Sequence, residues 1–332
     1  MSRRSGAVMG RTIGAVSVTA VLAVGLVACG GEPGALAPAS ADARAVDRLM
    51  WLMIVLGAAV FVLVVTLLAW AGRADGSGDD AARSRWLVIG GGVALPVGVL
   101  VPLAVFMLVT ANRIAPTGEA GEEIHVVGHQ YWWEVEYPGV ATTANEIHLP
   151  VGTPVRVVLE TADVIHIFWI PELGGKMDMI PGQRTEVILE ADEPGRYLGQ
   201  CAEFCGIQHA RMRLVVIVQE RDEFDAWLAA QAQPAELPAS DAARRGSQLF
   251  AEVGCASCHA VRGTSADGVR GPDLTHVAGR STLAAVTRPN TRMDLAEWLA
   301  DPQAVKPGAL MPPAPVTGSE LDDLVAYVEG LR

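Results

Sequence analysis

The stretch Cys201-Ala-Glu-Phe-Cys205-Gly-Ile-Gln-His209-Ala-Arg-Met212 decides the reading of this 332-residue chain. It places two cysteines, a histidine and a methionine at the spacing C-x3-C-x3-H-x2-M. Thiolate, imidazole and thioether form a soft donor set, which suits copper better than a hard cation. Gly206 allows a tight turn in which both sulfurs face one point and the chain doubles back to present His209. One ligand is missing from the loop. His166 is the candidate, because Asp163-Val-Ile-His-Ile-Phe-Trp169 is an apolar, β-prone run that precedes it. Taken alone, a C-x3-C pair in an exported domain fits a disulfide or a structural zinc site as well as copper. The methionine moves the balance to copper, since zinc sites rarely use a thioether.

Working outward, Gly174-Gly-Lys-Met-Asp-Met-Ile-Pro-Gly182 and Pro194-Gly-Arg-Tyr-Leu-Gly-Gln200 lead into the loop. With Val164-Ile-His166 and the cysteine loop, they resemble the binuclear copper (CuA) site of cytochrome c oxidase subunit II, over roughly residues 45–230. The resemblance implies that Cys201 and Cys205 bridge both coppers. It assigns His166 and Met212 to one copper, and His209 with the backbone carbonyl of Glu203 to the other. It also implies that the Glu203 carboxylate faces the catalytic subunit and helps hold a Mg²⁺ there.

The remainder of the chain fits a membrane-anchored electron carrier. Hydrophobic residues make up 51% of the sequence and charged ones only 19%, which points to membrane content. Four of the five cysteines lie in two close pairs, a pattern of metal or cofactor binding and not of a disulfide scaffold. Residues 1–28 read as an export signal: Arg3, Arg4 and Arg11 precede an apolar run that ends in Leu26-Val-Ala-Cys29. A small residue before the cysteine resembles a bacterial lipobox, which implies that Cys29 is lipidated and becomes the mature N-terminus. Residues 29–48 then form an outer-face segment.

Residues 49–72 and 86–112 carry no charge and are long enough to cross a bilayer, which takes about 20 apolar residues. The 73–85 loop between them carries Arg73, Arg83 and Arg85, and basic residues mark a cytoplasmic loop. Everything after residue 112 is therefore expected on the outer face of a bacterial plasma membrane. Pro96 and Pro102 are expected to kink the second span. The resemblance implies a proton-admitting Glu near the start of that span; no carboxylate lies within it here, which leaves Asp79 and Asp80 of the loop as loose candidates.

Residues 113–220 are a run of short β-branched-rich segments separated by Gly/Pro turns, the pattern of an antiparallel β-sandwich. The resemblance specifies it as cupredoxin-like. In Gly128-His-Gln-Tyr131-Trp132-Trp133, the family places the residue where electrons enter. Tyr131 stands at the position usually held by Trp, so Tyr131, Trp132 and Trp133 are all candidates, against ordinary cross-strand packing. His125, His129 and His148 read as structural. Residues 112–240 carry 8 basic and 20 acidic side chains, and hence nearly all of the net charge of −12. That surface suits solvation, or docking of a basic or dipolar donor, and gives no reason to expect nucleic acid.

Residues 221–240 read as a helix and a semi-rigid Pro/Ala linker. In 241–332, Cys255-Ala-Ser-Cys258-His259 is the C-x-x-C-H pattern of covalent haem c, two thioether links with the adjacent histidine on the iron. The sixth ligand is expected at Met311, in Gly308-Ala-Leu-Met-Pro-Pro313. Met293 opens a helix-like pattern instead. His/Met ligation raises the haem potential. This segment resembles class I cytochrome c, a family in which a proline carbonyl orients the proximal imidazole, here Pro272 for His259.

The whole order resembles subunit II of a caa-type cytochrome c oxidase. It predicts a multidomain membrane protein: a two-helix transmembrane hairpin, a cupredoxin-like antiparallel β-sandwich and an all-α cytochrome c domain. The implied function is to pass electrons from haem c to the binuclear copper and on to haem a in subunit I, where O2 is reduced. No catalytic residue is expected in this chain. The implied partners are subunit I with its haem a and haem-copper site, subunit III, and an upstream donor such as a bc-type complex or a soluble cytochrome. The alternative is a free-standing membrane-anchored electron shuttle or a copper-delivery lipoprotein.

Overall fold

The computed structural model describes residues 34–73, 81–114 and 121–332. The expected export signal, Cys29, Asp79 and Asp80 lie outside the described residues.

The first apolar helix, α1 (Ala41–Ala71), starts well before residue 49. The cause is local. The Ser40 hydroxyl oxygen accepts from Ala43 N at 3.0 Å, an N-cap worth about 1 kcal/mol, and its proton goes to Leu173 O at 2.7 Å. Ala39 N donates to Glu172 O at 2.8 Å, and Arg44 pairs with Asp192. The polar first turns of the helix are thus tied to the β domain, and the apolar stretch that follows is exposed. The second apolar stretch is α2 (Ala81–Ile89), a π-helical turn (Gly90–Ala94) and α3 (Leu95–Arg113). Pro96 has no N–H to give to the preceding turn, and the helix widens just before it, with Leu95 N bonding to Gly90 O. Among the described residues, these two helices are long and apolar enough to cross a membrane.

Ten strands form the sandwich: β1 (Glu122–His129), β2 (Trp132–Tyr137), β3 (Ala141–Ala144), β4 (Glu146–Pro150), β5 (Val155–Thr161), β6 (His166–Trp169), β7 (Met177–Met179), β8 (Thr185–Leu189), β9 (Gly195–Cys201) and β10 (Arg213–Gln219). One sheet has the order β3-β2-β1-β5-β8 and the other β4-β10-β9-β6-β7. Within the expected sandwich, two pairs, β1 with β5 and β10 with β4, run parallel. Both follow from strands that change sheet at tight corners, at Asn145 (φ 61) and Gly152 (φ 62). Alternating side chains such as Ile124, Val126, Trp133, Val135, Leu159, Phe168 and Leu214 fill the space between the sheets. Helix α4 (Arg221–Gln231) seals one end, with Phe224 fully buried and Trp227 stacked on His148 at 3.8 Å.

The last 92 residues have a second core of their own around Phe250, Leu324 and Tyr327. Helix α5 (Asp241–Glu252) crosses α8 (Ser319–Val328) where Gly246 meets the Asp323 backbone so closely that no Cβ fits. Arg245 forks onto both Asp323 carboxylate oxygens at 2.7 Å, and Phe250 meets Tyr327 edge-on at 5.5 Å. Helices α6 (Arg292–Ala300) and α7 (Pro302–Val305) complete the bundle. The linker is held down along its length: Ala235 N donates to Arg262 O at 3.0 Å, and His276 Nε2 lies 3.0 Å from Gln233 O. A further contact joins the two domains where Ser281 N donates to the buried Glu146 carboxylate at 2.9 Å.

Candidate metal centre and haem site

The copper-type loop hangs between β9 and β10, beside β6. Phe168 and Cys201 are register partners, and Ala202 N donates to Ile167 O at 3.0 Å. This pairing sets the end of β9 next to His166. The loop then closes on itself, with Cys201 N donating to Met212 O at 2.9 Å. At the turn Gly206 adopts φ +132, and a Cβ there would overlap the Tyr131 hydroxyl. Gly206 is therefore required both by its conformation and by the ring lying against it.

Every candidate ligand converges on one spot. Cys201 Sγ lies 3.8 Å from Cys205 Sγ, 3.7 Å from His166 Nδ1 and 3.2 Å from the Glu203 carbonyl oxygen. Cys205 Sγ lies 3.9 Å from His209 Nδ1 and 3.8 Å from Met212 Sδ. His166 and Met212 are fully buried, and both cysteines are 4% exposed. The sulfurs are too far apart for a disulfide, whose S–S bond is about 2.05 Å. Two thiols, one thioether, two imidazole nitrogens and one carbonyl match the soft donor set that a copper pair takes. Glu203 is exposed on the rim beside Phe204, which is 74% exposed.

Neighbouring groups fix the ligands. Asp163 Oδ1 sits 2.8 Å from His166 Nε2, leaving Nδ1 toward the sulfurs. Burial pushes the His166 pKa down, but hydrogen bonds with Cys201 and Asp163 outweigh it and leave it raised. Hydrogen bonding between the two thiols depresses Cys201 and raises Cys205, so the pair gives up one proton easily and the second with difficulty. Gln130 Nε2 donates to Cys205 O at 2.5 Å, and a Cβ at Gly128 would come within 2.8 Å of the His166 ring. Asp163, Gln130 and Gly128 thus shape the site although the sequence reading gave them no role. Only Asp163 carried a signal, three residues before His166.

The three aromatic candidates separate sharply. Trp133 is fully buried, 5.8 Å from Phe168 and 6.0 Å from His166, and cannot meet an outside partner. Trp132 is half-buried and stacked on His129 at 4.2 Å. Tyr131 lies with its ring on the copper loop and its carbonyl oxygen 2.8 Å from Lys306 Nζ of the second domain.

In that second domain, Gly254 (φ 91) ends the turn after α5, and a 3-10 turn (Cys255–Ser257) sets out the C-x-x-C-H residues. His259 Nδ1–H donates to Pro272 O at 2.7 Å, so Nε2 is left for a ligand. Burial lowers the His259 pKa and keeps the ring neutral, as metal ligation needs. A Cβ at Gly271 would lie 2.5 Å from the His259 ring. Met311 packs at the edge of the second core with Cys255 and Leu274, whereas Met293 is 69% exposed at the start of α6. One imidazole, one thioether and two free thiols beside this apolar core suit a covalent haem.

A membrane-anchored chain that joins a cupredoxin sandwich with a thiol-rich metal loop to a c-type cytochrome is an electron-transfer protein. Residues 140–219 match the family described as cytochrome c oxidase subunit II, periplasmic domain, and residues 243–332 match cytochrome c. The chain is 38% identical to cytochrome c oxidase subunit 2 of Alkalihalophilus pseudofirmus, over 77% of this chain and 74% of that one. It is 32% identical to the protein of the same name from Bacillus subtilis, over 77% and 76%. The solved periplasmic domain of the oxidase subunit II of Bradyrhizobium japonicum is 33% identical, over 34% of this chain and 95% of that one, with a TM-score of 0.33. The chain therefore belongs to the cytochrome c oxidase subunit 2 family, in a form with a cytochrome c fused after the copper domain. It is the subunit through which electrons enter a respiratory terminal oxidase, and it associates with other oxidase subunits. The free-standing shuttle loses its ground, because the relatives are oxidase subunits across most of their length.

Proposed function

We propose that Cys201 and Cys205 bridge two coppers, that His166 and Met212 complete one of them, and that His209 and the Glu203 carbonyl complete the other. Cys255 and Cys258 would hold a haem by thioether bonds, with His259 and Met311 on its iron and Pro272 orienting His259. A copper pair and a haem held there would supply two one-electron carriers. The observation that carries the reading is the convergence of six donors from two segments on one buried point, with separations of 3.2 to 3.9 Å along the chain of contacts.

The chain's own residues make that point rigid. β6 and β9 hold His166 and Cys201 in register, Asp163 locks the imidazole, and Gln130 ties down the Cys205 carbonyl. A site that cannot relax needs little rearrangement when one electron arrives or leaves. Burial of His166 and Met212 excludes water from the donors. Metal and haem analysis of the purified full chain should return two coppers and one covalent haem, and zinc in place of copper would overturn the assignment.

The exposed Glu203 carboxylate supports a Mg²⁺ site shared with subunit I. The polar start of α1 tied to the β domain supports a hairpin that crosses twice and holds both soluble domains on the outer face. Subunit III and a bc-type or soluble cytochrome donor complete the proposed setting. Cys29 should carry lipid in the mature protein. Mass spectrometry of the N-terminal peptide tests this, and an unmodified terminus beyond residue 29 or a retained Met1 would refute it. Cys29→Ser should leave both spans inserted, since their apolar length suffices.

A further inference from the structure

The haem-bearing domain does not merely hang from its linker. Residues 305–308, which lead to Met311, lie on residues 207–211 of the copper loop. Arg211 donates to Val305 O at 2.8 Å, and Gln208 Nε2 donates to Pro307 O. Gly308 (φ 86) approaches Ile207 so closely that a Cβ would overlap its side chain. Between these contacts the Lys306 side chain turns inward, 3% exposed. Its Nζ donates to Tyr131 O of the copper domain at 2.8 Å and to Ala284 O of its own domain at 3.1 Å. The Ala284 carbonyl is presented by an unusual backbone: Ala284, Ala285 and Val286 have φ of 53, 57 and 64, between the short strands β11 (Thr282–Leu283) and β12 (Arg288–Pro289). Three successive non-glycine residues in the left-handed region are strained, and strain of this kind persists where surrounding contacts hold it.

We propose that Lys306 is a positioning residue for haem-to-copper transfer, seating the loop before Met311 on the loop of Cys205 and His209 so that the electron crosses at this junction. The inference rests on the ligand assignment above. Among the described residues no ion pair spans the contact of 305–308 with 207–211; the specificity comes from a buried amine that must find two carbonyls in different domains at once. Such a group fixes one pose, because any slip leaves the amine or the carbonyls unpaired in the interior.

The seat has a pH signature. Burial lowers the Lys306 pKa to about 7, the nearby Arg211 adds to this, and Cys205 opposes it. An undocked lysine keeps its proton to about pH 10.4. Between those values the docked state holds fewer protons than the undocked one. Docking therefore strengthens as pH rises above about 7, by up to about tenfold per unit, and is flat below that.

The test uses the full chain in detergent, carrying both cofactors. Lys306→Glu places a carboxylate against two carbonyl oxygens. Ile207→Glu, at a side chain 74% exposed, pushes a charge against Gly308 from the copper side without touching either core. Both should slow haem-to-copper transfer after flash reduction at least about tenfold, since displacement by about 1 Å is costly. Both should also raise amide hydrogen exchange in residues 206–211 and 305–309 together. Lys306→Met should keep both cofactor spectra yet abolish the rise in junction protection between pH 7 and 9. Wild-type transfer and exchange in both charged variants, or an unchanged pH slope in Lys306→Met, would overturn the proposal. Absence of the binuclear copper signal from the unsubstituted chain would instead overturn the ligand assignment.

Discussion

Cys201→Ser or Cys205→Ser should abolish the binuclear near-infrared and electron-spin signals while leaving the haem spectrum intact. The two sulfurs are 3.8 Å apart, and each also faces an imidazole nitrogen, so removing either leaves one thiol where a bridge needs two. A serine hydroxyl is a harder donor that stays protonated, and the site is too buried for water to replace the sulfur. Copper uptake must also expel the second, reluctant proton of the thiol pair, so uptake should release protons and weaken in acid. The haem survives because its residues belong to a different core. Met212→Leu should be milder: leucine fills a similar volume in the fully buried site, and a thioether would tune a copper potential more than it would hold the metal. The prediction fails if either serine variant keeps a binuclear spectrum, or if the haem spectrum is lost with the copper.

How much of this was legible in the sequence follows from how far apart the contacting residues lie. The copper loop was legible because four of its donors sit within twelve residues, and C-x-x-C-H because the haem's attachment is contiguous. The apolar spans were legible by length. Strands β3, β7 and β9 were not, since Ala141–Ala144 and Met177–Met179 are too short for a period to show. Gly195–Cys201 contains two glycines and no β-branched residue. The early start of α1 depends on Ser40 reaching Leu173, a contact across 133 positions. The seat of the cytochrome was equally hidden. Lys306 reads as one more surface lysine, and nothing near it in sequence says that Tyr131, 175 positions away, holds its amine. The Pro/Ala composition shows a semi-rigid linker in 221–240 but not where it lands; the structure fastens it at Gln233 and Ala235 and seats the donor on the acceptor.

That seating sets the expected response to salt. In the intact chain, transfer from the fused haem to copper should depend only weakly on ionic strength. The contacts at the junction run from side chains to backbone carbonyls, at Val305, Pro307 and Tyr131, and such bonds are screened little by ions. A chain ending near Pro234 still has the complete sandwich core and the α4 seal, so its copper domain should fold and bind metal. It lacks the docked donor, and a separate soluble cytochrome must find the surface by diffusion. The segment of 112–240 carries 8 basic against 20 acidic side chains, so that encounter is steered by charge over distances comparable to the Debye length, about 8 Å at physiological salt. Transfer to the truncated chain should therefore be slower and should fall steeply as salt is added. Truncation also uncovers Glu146, which the Ser281 contact buries in the intact chain, and adds one more acidic group to the exposed field. Stopped-flow reduction by a basic cytochrome at low and high salt, set beside flash reduction of the intact chain, measures both slopes. Equal rates and equal slopes would mean that electrons reach copper by a surface the fused domain does not cover, and that the contact at residues 305–308 is not the working route.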